Sequence, residues 1–290
     1  MMQSRAMNSL LLFTSLFFLA TPLAAETVLQ CKSPSGKPIF TDDPRKCGKA
    51  TVTQHTVELK NTHNQYGALE SKEYFNYANR AHTRLEGYAI TIIVESELLA
   101  TQPELTQKAA ERLNQKVMQA LAILPSQHRN LFKNIRYYIF SGAGSSYGGK
   151  DSGLWYFAKN NRISKRFDDS IVVNSATNFV KMSDKSALAV IIHELAHGFH
   201  RYNWRRLAKL SQQSYQQAKQ QKLYTNLQSD SGRLIEQAYA LKNHREYFAE
   251  LSAKFFSEHY YPPFNRRGLK SYDPRGYRLM ETAWLHVEAE

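Results

Sequence analysis

The stretch from Ser186 to Phe199 constrains this chain more than any other. Its spacing predicts a helix, and Ala187 to Ile192 is apolar all round, so that helix must be buried. The next five residues are nevertheless His193-Glu194-Leu195-Ala196-His197. Burying two imidazoles and a carboxylate is costly unless they share a partner. At about 3.6 residues per turn, His193 and His197 stand one above the other on one face, so their ring nitrogens can reach a single ion. Glu194 sits about 100° round the helix, within reach of a water on that ion. Zinc suits such ligands and lowers the pKa of a bound water to about 7, where the carboxylate can take its proton. Ala196 and Gly198 are small and leave room for a strand or a substrate to approach.

Two histidines leave a catalytic zinc site one protein ligand short. A further histidine six residues past His197 would complete one familiar pattern, but Asn203 occupies that place. His200 is too close on the same helix to turn onto the ion and reads as a supporting or surface residue. An acidic residue on a later helix is the alternative, and Arg245-Glu246-Tyr247-Phe248-Ala249-Glu250 supplies two. Glu246 and Glu250 are four apart and share a face, so one can bind the ion while the other orients a ligand histidine. His244 either faces the site as a positive donor or stands on the surface at the helix start.

HELAH followed by EYFAE resembles the gluzincin branch of zinc peptidases and is most similar to the catalytic domain of anthrax lethal factor and its bacterial relatives. That resemblance implies a zincin-like fold, Zn(2+) as cofactor and peptide-bond hydrolysis. It implies Glu246 as the third ligand, Glu250 as its support, and Tyr239, seven residues before Glu246, as the phenol that stabilises the transition state. From about His193 onward the chain also resembles a group of poorly characterised predicted metallopeptidases. That likeness is carried by Tyr239-Ala240-Leu241, Asn243 to Glu250, Pro263-Phe264-Asn265-Arg266 and Asp273-Pro274-Arg275-Gly276-Tyr277. Lys242 departs from its pattern, where a small polar residue is expected.

Export signals set the context. Arg5, an apolar run from Leu10 to Ala20, and Pro22-Leu23-Ala24-Ala25 read as a signal peptide over residues 1–25, which implies a periplasmic or secreted protein. Cys31 and Cys47 are the chain's two cysteines, and outside the reducing cytosol they are expected to form a disulfide. Residues 26–58 read as a small β module, with Thr27 to Cys31 and Pro38 to Thr41 as a hairpin across Ser33-Pro34-Ser35-Gly36. Through Cys31, Gly36-Lys37, Phe40-Thr41-Asp42 and Cys47 it resembles a small N-terminal domain of unknown function found in exported proteobacterial proteins.

Residues 59–82 are polar and read as a linker. Over 83–290 the spacing predicts strands at 88–94, 135–140, 154–158 and 171–174. Helices are predicted at 107–123 and 186–199, over the Gln- and Lys-rich 204–241, and last at 245–259, which makes an α+β domain. Gly144 to Lys150 has phosphate-loop spacing, but Asp151 replaces the needed Ser or Thr, so the segment is expected to be a loop at a cleft edge. Tyr260 to Phe264 is expected to pack in the core, with a substrate groove as the other reading.

The formal charge is +13. In an exported chain without a nucleic-acid motif, this suggests anionic envelope polymers, lipid headgroups or acidic substrates rather than DNA or RNA, with a solvated basic surface as the equal alternative. No run of the mature chain is long and apolar enough to span a bilayer. The residues thus predict a zinc metallopeptidase acting on protein or peptide substrates. A hydrolase of peptidoglycan cross-links and an inactive, envelope-binding zincin are the rivals.

Overall fold

A computed structural model describes residues 80–143, 153–161 and 163–286, together with the backbone of three N-terminal strands. The chain divides into two compact units, Met1–Ala68 and Leu69–Glu290. In the first, β1 (Glu26–Lys32) pairs antiparallel with β2 (Pro38–Thr41) and with β3 (Thr53–Val57). The expected hairpin is present, with Cys31 opposite Ile39. Cys47, the leader, most of the linker and the Gly144 to Lys150 loop lie outside the described residues.

The second unit is built on a five-stranded sheet of order β4-β5-β6-β8-β7. Its members are β4 (His82–Leu85), β5 (Thr91–Glu95), β6 (Arg136–Ile139), β7 (Leu154–Phe157) and β8 (Ser170–Val173). The three inner strands are parallel, and β4 and β7 run antiparallel along the two edges. β8 is buried at every position, as expected of a strand covered on both faces. One face carries Tyr138, Phe140, Phe157, Phe167 and Val172 as a small aromatic core. The other carries Ile92, Val94, Tyr137, Ile139, Ile171 and Val173 into the main core beneath the helices.

Helix α1 (Ser96–Thr101) leads into α2 (Pro103–Ile123), which starts with proline at its first turn and buries Ala109, Ala110, Leu113, Val117 and Ala120. After the short α3 (Ala176–Lys181) comes the central helix α4 (Asp184–Tyr202). The Ser183 hydroxyl caps α4 by accepting from the Ser186 N–H at 3.2 Å, and Asp184 stands in the first turn where the helix dipole favours a negative charge. Gly198 lets α4 lie close under edge strand β7, since a Cβ there would meet the Tyr156 ring at 3.3 Å.

Residues 204–241 do not form one helix. α5 (Trp204–Gln220) ends early, and β9 (Thr225–Gln228) pairs with β10 (Leu234–Gln237). The backbone turns through positive φ at Lys222, Tyr224 and Asn226. Tertiary contacts hold that conformation: the Tyr224 side chain is fully buried and its phenol donates to Asp273 at 2.9 Å. α6 (His244–Phe256) is the predicted acidic helix, but it is not the last. α7 (Arg266–Tyr272) and α8 (Pro274–Trp284) follow, capped by Asn265 and Asp273. Gly276 is required at the start of α8, where any side chain would collide with Leu251, Asp273 and Tyr247. Among the described residues, no helix is long and apolar enough to cross a membrane.

Candidate metal centre

The site forms where α4 packs against α6. Both helices are buried along most of their length, and His193 and His197 of the one meet Glu246 and Glu250 of the other at the contact. Asn243 fixes the start of α6: its side-chain oxygen accepts from the Arg245 and Glu246 N–H groups at 2.9 and 3.0 Å. Glu246 therefore sits in the first turn, pointing at α4.

His193, His197 and Glu246 converge, with one donor atom from each inside a 4.8 Å span. His193 Nε2 lies 3.2 Å from Glu246 Oε2, His197 Nε2 lies 3.0 Å from the same oxygen, and the two Nε2 atoms are 3.1 Å apart. The other nitrogen of His193, Nδ1, lies 3.1 Å from Glu250 Oε1. With that contact a hydrogen bond, Nδ1 carries a proton and Nε2 is turned to Glu246 and His197. Nitrogens packed this closely about a carboxylate call for positive charge among them, which a proton on the imidazole or a metal ion supplies. Burial opposes charge on His193, but hydrogen bonds to Glu246 and Glu250 outweigh it and lift the pKa to about 10. Burial also opposes charge on Glu246, and its bonds to His193 and His197 hold its carboxyl far below the usual range. These three residues make a possible metal-binding triad whose donors, two imidazoles and a carboxylate, fit zinc.

Glu194 is buried on α4, and its Oε2 accepts the backbone N–H of Tyr156 in β7 at 2.7 Å. Burial is the largest influence on this carboxyl; the neighbouring Glu246 adds to it, His193 opposes, and the pKa is pushed up to about 8. A backbone N–H thus fixes this carboxyl in a buried place beside the three residues. Tyr239 opens a short 3₁₀ turn just before α6, and its phenol donates to Glu246 Oε1 at 3.3 Å.

Glu250 lies deeper, as a buried hub. Besides His193 it accepts from the Tyr261 phenol, and His259 Nε2 is 3.5 Å from its Oε2. Burial keeps His259 neutral, with a pKa lowered to about 3, so its Nε2–H can serve as a neutral donor. One turn along α6, Lys254 is fully buried; it donates to the Tyr261 carbonyl at 3.2 Å and lies 3.6 Å from the Tyr261 ring centroid. Burial opposes charge on Glu250, but His259, His193 and Lys254 outweigh it and hold its carboxyl below the usual range.

Two predicted histidines stand outside the triad. His244 turns to Ser211, with Nδ1 3.2 Å from the hydroxyl, and His200 Nε2 lies 3.0 Å from the same oxygen. Burial, then the charge of Arg245, lowers the His244 pKa, and the ring is turned to Ser211 rather than to the three converging residues. His200 is buried rather than on the surface. The Tyr260 to Phe264 segment is divided: Tyr261 supports Glu250 from the core while Phe264 is exposed. Sequence reasoning missed the Tyr156 N–H, Tyr261, His259 and Lys254. The Lys254 position within the polar-apolar pattern of α6 was the one available signal, since a lysine at a buried helical position needs a partner.

A search of curated proteins finds no match. Residues 161–283, a span that contains every residue of the triad together with Glu194, Tyr239 and Glu250, are similar to the family described as anthrax toxin lethal factor, N- and C-terminal domain.

Proposed function

We propose that this protein is a zinc-dependent peptidase acting outside the cytoplasm on protein or peptide substrates. The observation that carries the reading is the convergence of His193, His197 and Glu246 on one point beside the buried Glu194. The similarity of residues 161–283 to the lethal factor family supports it. His193 and His197 would hold the ion through Nε2 and Glu246 through a carboxylate oxygen. Zinc bound there supplies a Lewis acid that polarises a substrate carbonyl and acidifies water.

The chain's own residues supply the rest. Glu250 keeps the proton of His193 on Nδ1. Glu194 accepts a proton at its carboxylate from the attacking water and returns it to the leaving amine. The Tyr156 N–H holds that carboxylate in one orientation. Tyr239 donates from its phenol to the oxyanion of the tetrahedral intermediate. A leader over residues 1–25 would carry the chain out of the cytosol, where Cys31 and Cys47 could pair, and the excess of basic residues suits acidic substrates or anionic envelope polymers.

The test is a cleavage profile on a peptide library and on purified cell-wall sacculi, with and without chelator, beside elemental analysis. One zinc per chain and chelator-sensitive peptide cleavage support the reading. Cleavage of sacculi alone makes it a cross-link hydrolase. Zinc without any cleavage makes it a binding protein. Full zinc retention in a His193→Ala, His197→Ala double variant removes the metal assignment.

A further inference from the structure

We propose that Lys242 is a positioning residue for Tyr239, setting the direction of its phenol proton and strengthening it as a donor. The inference rests on the peptidase reading and extends it to a residue that the family resemblance leaves unexplained. Tyr239–Leu241 is a 3₁₀ turn closed by the Lys242 N–H donating to the Tyr239 carbonyl at 3.0 Å. In such a turn, residues three apart eclipse, so residue 242 stands over residue 239. The Lys242 ammonium accordingly lies 4.7 Å from the Tyr239 ring centroid and donates to the phenol oxygen at 2.8 Å.

An ammonium can only donate. The phenol oxygen must therefore accept from Lys242, and its own proton is turned elsewhere. The acceptor within reach of that proton is Glu246 Oε1 at 3.3 Å, the carboxylate oxygen that does not face the histidines. The proton is thus directed at the carboxylate of Glu246 before substrate arrives. As a carbonyl becomes tetrahedral, the same proton can turn from the long bond with Glu246 to the new oxyanion, the task of a donor held close to where charge develops. A hydroxyl that accepts from a cation is also a better donor, because hydrogen bonds in a chain polarise one another. Lys242 lies 3.7 Å from Glu246 Oε1 as well, so an effect through the ligand has to be separated from one through the phenol. A small polar residue at 242 would leave the phenol free to rotate.

The experiment compares Lys242→Met, Lys242→Arg, Tyr239→Phe and the Tyr239→Phe, Lys242→Met double variant for zinc content, kcat, KM and calorimetric affinity for a phosphinic peptide, a tetrahedral mimic. Lys242 is half-exposed, so Lys242→Met is expected to fold. Its zinc content and KM should stay as in the wild type. Its kcat and phosphinic affinity should both fall by about 10-fold, the lower end of the loss for an outer-shell partner. Lys242→Arg should recover most of that loss, and Lys242→Met should cost nothing further once Tyr239 is phenylalanine. Loss of zinc would mean that Lys242 acts on Glu246, a change in KM alone that it binds substrate directly, and an undiminished effect in the Tyr239→Phe background that the phenol is not its target; each overturns the proposal. An active wild type with an unaffected Lys242→Met overturns it alone, whereas a zinc-loaded wild type that cleaves nothing overturns it together with the peptidase reading.

Discussion

At the scale of single residues, the two carboxylates of α6 have different tasks because they meet different atoms. Glu246 meets both Nε2 atoms; Glu250 meets the Nδ1 of His193. Glu246→Ala is expected to strip zinc and abolish turnover. Glu250→Ala should weaken zinc by about 10–100-fold, as for the loss of an outer-shell partner. Glu194→Gln should keep zinc and lose nearly all turnover, since the metal stays and the base does not. Chelator competition and peptide kinetics on the three variants check the order, and reversal of the two glutamates would refute it. Lys254 makes a separate prediction. Burial lowers its pKa from 10.5 to about 7, with Glu250 opposing. Between those values the unfolded chain holds the proton and the folded chain does not, so folded stability rises with pH through that window. Zinc-saturated wild type should therefore gain stability from pH 7 to 9 relative to Lys254→Met in urea unfolding; parallel curves would show that Lys254 stays charged.

At the scale of elements, the centre depends on how α6 begins. Asn243 caps the helix and Glu246 stands in its first turn, where the helix dipole favours a carboxylate. Asn243→Ala should cost about 1 kcal/mol of unfolding free energy, and Asn243→Ser should restore most of it. Zinc affinity should fall with the cap, but less than in Glu246→Ala, because the proposed ligand remains on a fraying turn. Urea denaturation beside chelator titration measures both, and unchanged stability would show that packing alone holds the turn. The strong periodicities of α2, α4 and α6 could be read directly, because their buried faces recur at helical spacing. β9 and β10 could not: Gln- and Lys-rich sequence has no strong preference, and the buried Tyr224 contact with Asp273 overrides it. α7 and α8 were overlooked although Asn265 and Asp273-Pro274 are good cap signals; their polar composition hid the buried faces.

At the scale of the whole molecule, the metal centre joins α4 to α6, so an ion bound there is expected to stabilise the Leu69–Glu290 unit. A ligand that binds only the folded state at 100 times its dissociation constant adds about 2.7 kcal/mol. Chelation should accordingly lower the melting temperature of this unit by about 5–10 °C, by the usual scaling for a domain of about 200 residues. Differential scanning calorimetry with and without chelator tests this, with the His193→Ala, His197→Ala variant as control. That variant should show no shift, and an equal shift in both proteins would exclude this site as the cause.

What the sequence determined by itself was the part that helical geometry dictates. HELAH puts His193 and His197 on one face with Glu194 beside it, and EYFAE puts Glu246 and Glu250 on another, because a turn of helix has one length whatever surrounds it. The spacing could not say which carboxylate meets the ion; resemblance suggested Glu246, and only the docking of α6 on α4 brings that residue to the two Nε2 atoms. Tertiary structure alone decided that edge strand β7 holds Glu194, that His244 turns away to Ser211, and that Tyr261, His259 and Lys254 surround Glu250. These partners come from segments up to 38 residues apart in the chain, and no local period relates them. They meet because the apolar faces of sheet and helices close on one another, and buried polar groups must then find one another there.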